Sequence, residues 1–261
     1  MNRLDTTLAA LKSQNRSGLV CYFTAGDPDF DASLNLLGAL AEAGADVIEL
    51  GMPFSDPVAD GPSIQAAHLR ALGSGQTVAR TLELVQALRS RDATTPLVLM
   101  GYLNPVMQFG AEHFMQQAAL AGVDGLILVD LPLEHDASYR QAARQAGIHL
   151  IRMTAPNSDD ARLAQLLADA SGFVYHVTLN GTTGASAKSA TDVAQAVARV
   201  RRHTDLPIAA GFGIRTAEQV RALSGVVDLI VVGSRLVDVN ADLGAKAALA
   251  EVANLAQALQ A

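Results

Sequence analysis

One cysteine, Cys21, in 261 residues excludes a disulfide framework and any cysteine-built zinc cluster. That usage fits a reducing compartment, and the cytoplasm is expected. No apolar run approaches the roughly 18 residues of a membrane span, and the leading segment MNRLDTTLAALKSQNRSG lacks a signal-peptide-like apolar stretch. Charged residues make up only 17% of the chain against 50% hydrophobic, a balance that supplies a large core and argues against disorder. Nineteen Lys and Arg against twenty-six Asp and Glu leave a formal net charge of −7. A broad nucleic-acid-binding face is therefore not expected, although a local anion site is compatible with it. There is no complete P-loop, no Rossmann glycine fingerprint, and no linker-like or low-complexity tract to divide the chain. A single domain over 1–261 is expected.

What is present is alternation. Short apolar runs at Leu19–Thr24, Val47–Leu50, Leu97–Gly101, Gly125–Val129, His149–Met153, Phe173–Val177, Pro207–Ala210 and Leu229–Val232 read as parallel strands buried on both faces. Between them lie alanine-rich stretches with apolar residues every three or four positions, including Leu34–Ala43, Val78–Arg89, Glu134–Ala146, Ala190–Arg202 and a final Ala241–Gln260. Eight such units predict an α/β fold, a (β/α)₈ TIM barrel, with a doubly wound open sheet as the rival. An amphipathic segment at Leu4–Lys12 precedes the first strand and is placed to plug the N-terminal mouth. Two connections are long: Gly51–Gly61 after the second strand, with a short extra helix near Ser63–Leu72, and Thr178–Ser189 after the sixth. Loops after strands form the catalytic face of such barrels.

The seventh and eighth strands run into Gly211-Phe212-Gly213-Ile214 and Gly233-Ser234-Arg235. Glycines at these ends let backbone N–H groups approach an anion, and Ser234 suits both a helix N-cap and a phosphate donor. Gly184, in the polar, glycine-hinged sixth loop, offers a further donor. Tight βα turns alone also explain each glycine taken singly.

Glu49 ends the second strand among apolar neighbours, where burial would raise its pKa. A structural carboxylate paired with arginine at the barrel rim is the competing reading. Asp56 and Asp60 follow in a proline-stiffened loop, where each alone is explained by an Asx turn. Together with Glu49 they suit proton transfer and cation stabilisation. Tyr175 and Tyr102 are placed to reach the same mouth, although a strand tyrosine is more often core. Schiff-base chemistry finds no lysine on a strand end, since Lys12, Lys188 and Lys246 fall in the first helix, the sixth loop and the last helix. The histidines are mostly isolated, so no metal site is expected; His176 beside Tyr175 keeps a small metal possibility.

The block Glu49-Leu-Gly-Met-Pro-Phe-Ser-Asp-Pro-Val-Ala-Asp-Gly-Pro-Ser-Ile-Gln65 resembles the signature of the tryptophan synthase alpha chain. Thr24-Ala-Gly-Asp-Pro28, Gly101-Tyr-Leu-Asn-Pro105, Asp130-Leu-Pro-Leu-Glu134, Thr183-Gly-Ala185 and Gly211-Phe-Gly-Ile214 extend the likeness over nearly the whole chain. The resemblance implies cleavage of indole-3-glycerol phosphate to indole and glyceraldehyde 3-phosphate. It implies Glu49 as general acid/base, Asp60 as acceptor for the indole N–H, Tyr175 in support, and Thr183 holding Asp60. It further implies phosphate binding by Gly184, Gly213, Gly233 and Ser234, with Phe212 against the indole. A beta chain carrying pyridoxal phosphate is the implied partner, in an alpha2-beta2 assembly, faced by Pro53, Asp56, Asn104 and Pro132; this chain itself would need no cofactor. Leu179, Thr182, Tyr22 and Met153 depart from the family pattern. A stand-alone indole-releasing lyase, a phosphosugar isomerase or epimerase, and a non-catalytic binding subunit remain as alternatives.

Overall fold

The computed structural model describes residues 2–178, 189–211 and 213–259. Nine strands form one parallel sheet: β1 (Gly18–Thr24), β2 (Val47–Gly51), β3 (Leu97–Gly101), β4 (Gly125–Leu128), β5 (His149–Leu150), β6 (Arg152–Thr154), β7 (Val174–Val177), β8 (Ile208–Gly211) and β9 (Leu229–Val232). Their order is β5-β4-β3-β2-β1-β9-β8-β7-β6. The two edge strands are consecutive in the chain. They are halves of the single fifth strand expected from the sequence, interrupted at Ile151, with β5 paired to β4 and β6 paired to β7. That division closes the sheet into the expected barrel and removes the open-sheet rival.

Period-two alternation sorts the strand side chains. Val20 and Tyr22 of β1, Val98 and Met100 of β3, Ile127, Tyr175, Ala209, and Leu229 and Val231 fill the interior. Their sequence neighbours, such as Cys21, Ile48, Leu50, Leu99 and Ile230, face the helical layer. Val47 is interior, so Glu49 and Gly51, two and four residues on, share its face.

The leading helix, Arg3–Ser13, seats Leu4, Leu8 and Leu11 in this interior cluster, as a plug should. Asn2 caps it through Leu4 N–H and ties it to the Asp124 and Gly147 carbonyls at 2.9 and 3.0 Å. The helix expected near Ser63–Leu72 is Pro62–Gly73, with proline in its first turn.

Two expectations are corrected. Leu34–Ala43 is not one helix but two, Phe30–Leu37 and Leu40–Ala43. The final helix does not begin at Ala241: Ser234–Leu243 and Ala245–Ala258 are separate, broken at Gly244, whose left-handed φ of 82° ends the first. A helix at Leu103–Phe109, not among the elements expected from the sequence, follows β3; Pro105 sits in its first turn, where its missing N–H is harmless. Among the described residues, no helix is long and apolar enough to cross a membrane.

Leu4 is fully buried at the plug. Leu4→Ala should cost about 2–5 kcal/mol in urea unfolding; an unchanged midpoint would mean that the helix is not seated in the barrel.

Candidate active site

Two buried carboxylates show what differs at the mouth. Asp124 and Glu49 are each 1% exposed. Asp124, in the turn leading into β4, collects Arg3 at 3.0 Å, Arg89 at 2.9 Å and the Leu97 N–H at 2.9 Å. It is a satisfied structural anion. Glu49 has no such arginine, and its Oε2 has no hydrogen-bond partner among the described residues. The rim ion-pair reading therefore does not apply to it. Strand register sets Glu49 opposite Tyr22 on one side and Val98 on the other, in an apolar wall. Burial first, and the nearby Asp60 second, raise its carboxyl to about 8.

Asp60 is 5% exposed and reaches the mouth from the loop after β2. The Tyr102 hydroxyl, at the end of β3, donates to its Oδ2 at 2.8 Å and accepts the Ala59 N–H at 3.0 Å. Gln65 of the helix Pro62–Gly73 donates to the Asp60 carbonyl at 2.9 Å. His68 of the same helix faces Oδ2 with Nε2 at 3.6 Å, while its Nδ1 accepts the Phe54 N–H at 2.9 Å. Burial raises the Asp60 carboxyl and the Tyr102 bond lowers it, leaving it at about 6. At pH 7 Glu49 is thus mainly a neutral acid and Asp60 mainly an anion.

Tyr175 of β7 and Tyr22 of β1 are buried on the same interior face. Each hydroxyl lies over a glycine: a Cβ at Gly211 would stand 2.1 Å from the Tyr175 oxygen, and one at Gly51 would stand 2.1 Å from the Tyr22 oxygen. Any side chain there would displace the phenol, so these strand-end glycines shape the mouth. The Tyr22 hydroxyl lies 3.3 Å from Thr24 Oγ1. Burial and the field of the two carboxylates push both phenols well above the usual tyrosine range, so they remain protonated.

The residues expected to bind phosphate follow the adjacent strands β8 and β9. Gly213 has a left-handed φ of 83°. The helix Ser234–Leu243 begins directly after β9 with Gly233 as N-cap and no side-chain cap. Ser234 is therefore the first helical residue rather than the cap, a correction with a chemical consequence: its side chain is not committed to capping, and no side chain caps the first turn, whose Leu236 N–H bonds the Gly233 carbonyl at 2.8 Å. Thr183, Gly184 and Phe212 lie outside the described residues, as do Leu179, Thr182 and Lys188.

Of the residues expected to face a partner, Asp56, Asn104 and Pro132 are exposed, whereas Pro53 is buried. Val58 and Met107 are exposed apolar side chains on the same segments as Asp56 and Asn104. Lys12 is exposed on the leading plug helix, and Lys246 is exposed on the last helix. His176 is buried, and its Nδ1 is 3.0 Å from Thr154 Oγ1. Sequence reasoning missed His68 and left Tyr102 undecided. The signal for His68 was its spacing: it joins Ala67 and Ala71 on the buried face of the helix, an ionisable group in a core position.

A closed parallel barrel with two buried carboxylates at its C-terminal mouth, both raised by burial and Glu49 the further, has the arrangement of an acid–base barrel enzyme. The family model of the tryptophan synthase alpha chain matches residues 8–261, and the chain belongs to that family. The family is one of carbon–carbon lyases that cleave indole-3-glycerol phosphate in tryptophan biosynthesis, and its members are subunits of a complex. The chain is similar to the tryptophan synthase alpha chain from Legionella pneumophila, with 34% identity, a TM-score of 0.91, and coverage of 100% of this chain and 98% of that one. It is similar also to a chain of Mycobacterium tuberculosis tryptophan synthase, with 34% identity, a TM-score of 0.92, and coverage of 100% and 99%.

The fold binds the Glu49 proton more tightly than the unfolded chain does, so stability falls as pH rises from about 4.5 to about 8. Glu49→Gln removes this cost. Its melting temperature should match the wild type near pH 4.5 and exceed it at pH 8.5, by roughly 2–4 °C per kcal/mol released. A gap independent of pH would contradict a raised Glu49 carboxyl.

Proposed function

We propose that Glu49 and Asp60 divide the cleavage of indole-3-glycerol phosphate between them, in a barrel that works as one domain over 1–261. Glu49 starts as the neutral acid and gives its proton to indole C3, forming the indolenine tautomer. Asp60, already ionised, accepts the indole N–H and stabilises the positive charge that appears on the ring. The Glu49 carboxylate then takes the proton of the glycerol hydroxyl as the carbon–carbon bond breaks. The bonding pair returns to the ring, indole and glyceraldehyde 3-phosphate leave, and Glu49 is protonated again. One proton goes in and one comes out through the same residue. The observation that carries this reading is a pair of buried carboxylates at one mouth, Glu49 with an oxygen unpartnered among the described residues and Asp60 held by the Tyr102 hydroxyl at 2.8 Å.

Tyr175 would support the site beside Glu49. Gly213, Gly233 and Ser234, with Gly184, would hold the phosphate, Phe212 would pack against indole, and Thr183 would hold Asp60 when the sixth loop closes. The partner would be a beta chain in an alpha2-beta2 assembly in the cytoplasm. It would carry pyridoxal phosphate for the condensation of indole with serine, while this chain would carry none. Asp56, Asn104 and Pro132, with exposed Val58 and Met107, would face it, and the buried Pro53 would stiffen that loop from within.

Glu49→Gln should lower cleavage by about 10²–10⁴-fold while glycerol 3-phosphate still binds; near-normal turnover would remove Glu49 from the mechanism. In the wild type, kcat/KM should fall below about pH 6 and above about pH 8. Asp60→Asn should slow cleavage about 10²–10³-fold and lose the acid limb. Because the chain has no Trp, released indole can be followed by fluorescence with little protein background, with and without the beta chain. Turnover that rises steeply with the partner supports the subunit reading, and fast turnover alone supports the stand-alone lyase.

A further inference from the structure

His68 holds an unusual position for a buried imidazole. It is 2% exposed, and buried polar groups are almost always paired. Its Nδ1 is paired, accepting the Phe54 N–H at 2.9 Å. A backbone N–H can only donate, so Nδ1 carries no hydrogen and the neutral ring has its proton on Nε2. That Nε2 has no hydrogen-bond partner among the described residues, yet it stands 3.6 Å from Asp60 Oδ2, a few tenths of an ångström beyond a bond. The hydroxyl of Tyr102 already donates to the same oxygen at 2.8 Å. Two donors thus converge on Oδ2, which leaves Oδ1 for the substrate.

We infer that His68 is a positioning residue for Asp60: held by the Phe54 amide, its Nε2–H closes onto Oδ2 as charge develops on the substrate, keeping the carboxylate ionised and turned toward the ring. This rests on the role proposed for Asp60 above. The helix carries the imidazole, and the amide of the loop fixes its tautomer. The Phe54 ring, 5.3 Å from that of Tyr102, joins both donors into one wall. Burial holds the imidazole near 4, so at neutral pH it acts as an oriented N–H dipole and not as a cation. Among the described residues, the titratable neighbours of Asp60 are Glu49 from β2, Tyr22 from β1, Tyr102 from the end of β3, Tyr175 from β7, and His68 from the helix. Of these, Glu49 titrates on the alkaline side and the phenols far above neutrality, which assigns the acid limb of the rate profile to Asp60.

Two substitutions separate the halves of the contact. His68→Asn keeps an acceptor for the Phe54 N–H but cannot reach Asp60. His68→Gln puts an amide N–H near the Nε2 position and gives up the Phe54 acceptor. In cleavage of indole-3-glycerol phosphate, His68→Asn should lower kcat about five- to tenfold with KM within about twofold, and should move the acid limb of kcat, which reports the substrate-bound state in which the contact closes, up by about half to one pH unit. His68→Gln should retain the wild-type limb. Asp60→Asn is the control for the underlying reading: if it keeps the limb, the role of Asp60 fails and this inference with it. If Asp60→Asn loses the limb while the two His68 variants share one profile, only the inference fails. Nitrogen-15 NMR of the unsubstituted protein gives an answer independent of any variant. The Nε2–H tautomer should persist down to pH 6, and an Nδ1–H tautomer or an imidazolium there would overturn the proposal.

Discussion

An unpaired carboxyl in an apolar wall is the constraint around which the mouth of this barrel is organised. Burying Glu49 without a cation or a full set of donors favours its neutral form. The chain has the means to do otherwise, because Asp124 is just as buried and is surrounded by two arginines and a backbone amide. The contrast separates a carboxylate that holds the fold together from one that is kept able to change its charge. Charge neutralisation belongs to the rim opposite the mouth, where the leading helix and Arg3 close the barrel.

Asp60 resolves what one carboxyl cannot do. A site that gives a proton and stabilises a cation at the same pH needs two acids in different states. Here burial and then the field of Asp60 raise Glu49, whereas the Tyr102 hydrogen bond offsets part of what burial does to Asp60. Because Tyr102 also holds the Ala59 N–H, and Gln65 holds the Asp60 carbonyl, the loop that carries Asp60 is built into β3 and the following helix. Exposed Val58 lies on that loop, and exposed Met107 lies on the helix Leu103–Phe109 that starts directly after Tyr102. A partner seated there would press on the elements that set the acid–base pair.

The fold was legible because buried parallel strands leave a nearly continuous apolar signal, and the helices between them keep their period. What escaped lies where local signals cancel. Ile151 divides one apolar run between two neighbours, a matter of barrel closure that no local pattern records. The Gly244 break was hidden inside an alanine-rich stretch, and the helix Leu103–Phe109 behind Asn104-Pro105. Glu49 was visible from its strand-end position, and Asp60 from its loop. His68 and Tyr102 were less so, because both act across 8 to 42 residues of sequence on a single oxygen. The exclusion of Ser234 from capping likewise followed only from the backbone, which places Gly233 at the cap.

Difference infrared spectroscopy at pH 7, with Glu49→Gln and Asp60→Asn used to assign the carboxyl bands, measures the two protonation states directly. A protonated carboxyl band that disappears in Glu49→Gln, together with a carboxylate band that disappears in Asp60→Asn, is the predicted result. Loss of a carboxylate band in Glu49→Gln would mean that the buried glutamate is ionised at rest, and the division of labour described here would not hold.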